Sequence, residues 1–249
     1  MRIIPYLKIF LAFLLIVSCH ICVAQKKKKG TYTQKAMELY KSEDYEKAVP
    51  AFDKAINSTK KKDQEMYKLY LYRAVSKSRT GDYYGSYNDI NTCLKLNPFY
   101  AEAYIFRGML NLLMDSEKEA LTDFNKATEA EPENFYAWIY MADLYYEMKD
   151  YEMAAESYSK ALNINPNDED ARAKRADIWY LLKKYEKAIE DYDHILELMP
   201  ENGDAYYMRG LSKTYIANTD TLGACEDIKR AKELGTNTDM PGLEEYCNE

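Results

Sequence analysis

Between Ala101 and Asn202, small, aromatic and polar positions recur with a period of 34 residues. Aligned as 101–134, 135–168 and 169–202, the copies place Gly108, Ala142 and Ala176 eighth, Ala120, Ala154 and Ala188 twentieth, and Ala127, Ala161 and Ile195 twenty-seventh. The twenty-fourth place is Phe124, Tyr158 and Tyr192. Two antiparallel helices need small residues where their backbones approach closely, with one ring filling the gap beyond. At about 100° per residue, the fourth, eighth and eleventh places of the first helix share one side, and the second, fifth, ninth and thirteenth lie opposite. Pro98, Pro132, Pro166 and Pro200, again 34 residues apart, end successive second helices, because proline lacks the amide donor that would continue the ladder. The fold is predicted to be all-α.

The register extends both ways. Copy 29–62 has Ala36, Ala48, Phe52 and Ala55 at the defining places but Lys60 where the others have proline. The extra residues Asp63 to Met66 then predict a longer second helix or a loosened joint, and Pro50 is expected near the first turn of that helix. Copy 67–100 carries Tyr70, Ala74, Ser86, Ile90 and Cys93. Copy 203–236 carries Gly210, Ala224, Ile228 and Ala231, with two extra residues in its inter-helix turn around Asn218 to Gly223 and Gly235 as a C-cap. Residues 237–249 are too short for another copy and are expected to cap the end, with a brief helix over 241–247.

The period and the small, aromatic, proline order resemble the tetratricopeptide repeat (TPR). The resemblance implies a right-handed α-solenoid of antiparallel helix pairs, with a concave groove that receives a protein or peptide. In this sequence the groove places are Leu71 and Val75, Ile105 and Met109, Tyr136, Ile139 and Asp143, Asp177, and Tyr207 and Leu211, flanked by Tyr146 and Tyr180. That is an apolar floor with two carboxylates, which favours a ligand carrying Lys or Arg among apolar residues. Simple packing in a tight superhelix would bury the same residues instead, and Tyr136, Tyr146, Tyr180 and Tyr207 also admit stacking against a glycan. The Lys and Asn clamp with which some family members grip a C-terminal carboxylate is absent, since no copy has Lys, Arg or Asn at the fifth or ninth place.

A second pattern varies between copies. The seventh place is Arg73, Arg107, Arg175 and Arg209 wherever the twenty-third is Asp89, Asp123, Asp191 and Asp227. Copies one and four lack both partners, having Lys35 with Ala51 and Met141 with Ser157. Pairing within a copy is therefore expected, as bidentate ion pairs at the helix seam that set register.

Composition narrows the function. A chain of 249 residues, 47% hydrophobic, has enough apolar material for a sizeable core. Net charge is −7, and removing residues 1–24, with Arg2 and Lys8 but no acid, makes it −9. Nucleic acid is a poor partner for such a chain. Two histidines, His20 and His194, leave little from which to build a metal site or a His-based catalytic pair. With no phosphate loop or nucleophile elbow either, no cofactor, metal or catalytic residue is expected, and the chain reads as a non-enzyme.

Residues 1–24 read as an export signal: Arg2 and Lys8 precede the apolar run Ile9 to Cys19, which is too short to span a bilayer. Cleavage after Ala24 would leave a basic leader, 25–30, on a periplasmic or secreted protein. Ile16-Val17-Ser18-Cys19 also resembles a lipobox, so lipidation at Cys19 and an outer-membrane lipoprotein is the alternative. Without residues 1–24 the chain keeps Cys93, Cys225 and Cys247. Cys93 sits at a packing place, and the chain after Gly235 is long enough to bring Cys247 back to Cys225. A disulfide between those two is expected in an oxidising compartment, and free thiols in a reducing one.

Overall fold

A computed structural model describes residues 32–59, 65–216, 221–238 and 247. The export signal, the basic leader and most of the cap lie outside them. Among the described residues twelve helices follow one another, with no strand: α1 Tyr32–Lys41, α2 Tyr45–Ser58, α3 Met66–Arg79, α4 Tyr83–Leu96, α5 Ala101–Leu113, α6 Glu117–Ala130, α7 Phe135–Glu147, α8 Tyr151–Ile164, α9 Glu169–Leu181, α10 Tyr185–Leu198, α11 Gly203–Thr214 and α12 Thr221–Glu233. Each copy supplies one pair, and the chain forms two compact units, 1–132 and 133–249.

Local chemistry sets the helix ends. Asp44, Asp82 and Asp150, at the sixteenth place, accept from the backbone amides of Lys47, Gly85 and Met153 and so start second helices. Asn134, Asp168 and Asn202, two residues after a proline, do the same for Ala137, Ala171 and Ala205 at the start of first helices. Between the helices, the fifteenth place takes positive φ in five copies, at Glu43, Gly81, Asp115, Lys149 and Lys183. Only copy two uses glycine there, the residue that adopts this region without a Cβ penalty. Lys183→Gly is therefore expected to raise stability by about 0.5–1 kcal/mol, read as a higher urea midpoint at unchanged m-value. No gain would mean that the Lys183 side chain contributes as much as its strained backbone costs.

In unit one, Ala36, Ala48, Ala55, Ala74, Ser86, Cys93, Ala120 and Ala127 are fully buried, and Phe52, Ile90, Phe106 and Phe124 fill the space between them. Gly108 permits a close approach of the two helices of its copy: a Cβ there would lie 2.6 Å from the Phe124 ring. The joint after copy one is not loose. The Tyr72 ring lies 5.2 Å from Tyr40 and stacks on Phe52 at 6.1 Å, and Arg73 reaches Asp53 at 2.7 Å. Residues 60–64 are outside the described ones, and α2 itself ends at Ser58, so it is not lengthened. Pro50 falls at the sixth residue of α2, a turn deeper than expected, on its exposed side.

In unit two, Ala142, Ala154, Ala155, Tyr158, Leu162 and Ile178 form one core cluster, and Ala176, Ala188, Tyr192, Ile195 and Ala205 form the next. Trp179 packs against both, with Lys187 and Lys184 over its ring at 4.7 and 5.1 Å. Gly235, at φ +87°, closes α12 as expected, and the Thr236 amide returns to the Ala231 carbonyl at 3.0 Å.

Candidate functional site

The frame of the site is a repeated ion pair. Arg73, Arg107, Arg175 and Arg209 each donate through Nε and Nη2 to the two oxygens of Asp89, Asp123, Asp191 and Asp227, at 2.5–2.9 Å. All four pairs lie within one copy, and all four carboxylates are buried. Each acid also receives a third donor, from Lys77, Asn111, Arg172 or Lys213. The remaining guanidinium nitrogen, Nη1, reaches back to the twenty-fifth place of the preceding copy: Asp53, Asn91, Ser159 and Asp193 accept at 2.7–3.0 Å. One arginine thus joins two helices of its own copy to the copy before. In copy four, Met141 is buried instead and the Ser157 hydroxyl turns to the Met153 carbonyl.

The groove places divide between core and surface. Leu71, Val75, Ile105, Met109 and Leu211 are buried, so the face read as an open apolar floor is core at those positions. Helical spacing tells which side a residue occupies but not what covers it. On unit two, Tyr136, Ile139, Tyr180 and Tyr207 are half-buried and Tyr146 is 40% exposed. Tyr180 lies 5.6 Å from Tyr185 and 6.0 Å from Tyr215, which is itself 49% exposed and stacked on Tyr185 at 4.8 Å. Desolvation, with the hydrogen bond to Tyr215, pushes the Tyr180 phenol up to about 12. A second pair, Tyr146 with Tyr151, repeats the arrangement one copy earlier.

Asp143 and Asp177 differ from expectation and from each other. Asp143 Oδ1 accepts from the buried Tyr158 hydroxyl and also holds the Lys174 ammonium at 2.7 Å. It offers no free negative field, because the chain's own lysine already neutralises it. Asp177 Oδ1 accepts from the Tyr192 hydroxyl at 2.5 Å. Although Asp177 is exposed as a residue, desolvation raises its carboxyl above the ordinary range, the Tyr192 hydrogen bond opposes that rise, and the charge of Asp204 adds to it. Neither acid is simply a solvated residue on a helix face.

The covariation behind these bonds was available in the residues. The ninth and twenty-fourth places are Met37 with Phe52, Val75 with Ile90, Met109 with Phe124, Asp143 with Tyr158, Asp177 with Tyr192, and Leu211 with Ile228. A tyrosine at the second place occurs only with an aspartate at the first, because a buried phenol needs an acceptor.

Cys225 and Cys247 form a disulfide with Cα atoms 5.5 Å apart, and Cys93 is free and buried. Among the described residues no group of three His, Cys, Asp or Glu side chains is placed to hold a metal. Among them, too, no helix is long and apolar enough to cross a membrane.

No curated protein matches the chain. Among solved structures it is similar to YrrB, described as a TPR protein with an unusual peptide-binding site: 23% identity, TM-score 0.63, covering 75% of this chain and 93% of that one. The C-terminal part of a TPR repeat-containing protein from Cytophaga hutchinsonii is 19% identical at TM-score 0.67, covering 82% and 79%. PilF of Pseudomonas aeruginosa is 18% identical at TM-score 0.63, covering 82% and 87%. Tetratricopeptide repeat family models match residues 30–62, 101–134, 135–168 and 170–202. With the helix pairs, the buried small places and those matches in register, the chain belongs to the tetratricopeptide repeat family.

Proposed function

We propose that the chain is an exported scaffold of the cell envelope that binds a protein or an extended peptide on the first-helix face of its repeats. The observation that carries this is the surface of unit two. Tyr136, Ile139, Tyr146, Tyr180 and Tyr207 stay at least partly accessible on helices of the unit that holds the two neighbouring core clusters. An apolar, tyrosine-rich face on a rigid frame is a binding surface, since large rings contribute contact area at small entropic cost. YrrB, with its peptide-binding site, lends the same direction. Export rests on the composition of residues 1–24.

Capture from an envelope extract with the wild-type chain and with Tyr136→Glu plus Ile139→Glu tests the face: a partner retained by the first and lost by the second is expected. Equal retention by both would remove this face as the site. The mass of the mature N-terminus tests location and anchoring together. A chain beginning at Gln25 is expected, an acylated Cys19 would support a lipid-anchored envelope component, and an intact Met1 would end the export reading.

A further inference from the structure

We infer that the Asp177 and Tyr192 pair on unit two seats a lysine side chain of the bound peptide, a refinement that rests on the peptide-binding function proposed above. The template for this is one copy earlier in the same chain. Lys174, 31 residues after Asp143, places its ammonium 2.7 Å from Asp143 Oδ1 and 5.8 Å from the centre of the Tyr158 ring. The carboxylate supplies the charge, the phenol fixes the carboxylate by donating to it, and the ring face adds a cation–π contribution. Copy five repeats the acid and the phenol as Asp177 and Tyr192, joined by the same hydrogen bond. The residue 31 positions after Asp177 is Met208, so the chain brings no ammonium to the second pair from that place.

The surroundings of Asp177 favour a cation with an apolar stem. Asp204, at the start of α11, is near enough for its charge to be felt at Asp177, and its own Oδ1 accepts from the Thr236 hydroxyl at 3.0 Å. Tyr180 follows Asp177 by one turn of α9, on the same side of the helix, and is half-buried, with its ring 6.0 Å from that of Tyr215. A carboxylate that feels the charge of a second, with a tyrosine ring one turn away on the same helix, suits the four-carbon stem and compact charge of lysine. Asp143 would take no part, because Lys174 occupies it.

Selection of random decapeptides on the purified chain, followed by fluorescence anisotropy of the selected peptides, provides the test. Selected peptides are expected to share a lysine at one position among apolar neighbours. Asp177→Asn, which keeps a carbonyl acceptor for Tyr192, is expected to weaken them about tenfold, as should replacing the peptide lysine by norleucine, with the two losses not additive. Met208→Lys, which rebuilds the copy-four arrangement, should weaken binding comparably, whereas Asp143→Asn should change it less than twofold. An unfolding midpoint for each variant separates lost binding from lost fold. Peptides that bind Asp177→Asn as well as wild type, or that share no lysine, would overturn the lysine seat and leave the binding face standing. Failure to select any peptide would overturn both.

Discussion

Asp191→Ala is expected to cost about 3–5 kcal/mol of stability, the largest loss from any single truncation on the seam. Asp191 is buried and accepts from Arg175 Nε at 2.9 Å and Nη2 at 2.6 Å, with Arg172 Nη1 at 3.3 Å. Removing the carboxylate strands two guanidinium groups that are themselves mostly enclosed, with side-chain exposures of 18% and 12%. The cost is the penalty for uncompensated buried charge rather than the net worth of the pair, which against an apolar replacement is small. Asp191→Asn should cost less, since one acceptor remains. Asp193→Ala, at the half-exposed end of the clamp on Arg209, should cost under about 1 kcal/mol. Urea midpoints at constant m-value decide the ranking. Asp191→Ala within 1 kcal/mol of wild type would mean that solvent reaches the seam and relieves it.

Loss of the disulfide through Cys225→Ser is expected to cost about 3 kcal/mol, from the loop of 22 residues that the bond closes in the unfolded chain. The chain after α12 already folds back on its own pair. Thr236 donates to Asp204, and a Cβ on Gly203 would meet Thr236 at 2.3 Å and Leu234 at 3.2 Å. The bond therefore lies beyond a stretch, Leu234 to Thr236, that noncovalent contacts already hold against the start of α11. Thermal unfolding with and without reductant measures the effect: the wild type should fall to the level of Cys225→Ser on reduction, and Cys225→Ser should not respond. A wild type indifferent to reductant would show that the thiols are unpaired in solution.

The repeat and the seam pairs were legible in the residues for one reason, and the disulfide for another, the reach of the chain after Gly235. Six copies of a unit in one chain are six variants of one structure, so Met141 with Ser157 against Arg175 with Asp191 works as a natural double substitution. The same comparison would have revealed the Asp143 and Tyr158 bond. Helical spacing puts the ninth and twenty-fourth places in different layers, groove and core, which hides the bond, yet a tyrosine at the core place is long enough to cross between them. The backward reach of each arginine was harder to see. Its acceptors are Asp53, Asn91, Ser159 and Asp193, which share an oxygen and little else, and such a place looks merely polar. Positive φ at the fifteenth place was equally hidden, because Gly81 is its only glycine. The burial of Leu71 and Val75 depends on what lies over them, which no periodicity along one helix reports.

Cys93 fills a small-residue place of copy two, and burial pushes its thiol up to about 12. At neutral pH the thiolate fraction of such a group is on the order of one in a hundred thousand, and only the thiolate attacks a disulfide. Cys93 is therefore chemically silent once copy two has folded, and it can mispair with Cys225 or Cys247 only while that copy is open. Copy two precedes the last copy by more than a hundred residues, so on a chain emerging from its N-terminus Cys93 is folded away before Cys225 or Cys247 appears. The order of the copies then acts as a proofreading step for the disulfide, without any catalyst having to distinguish one sulfur from another.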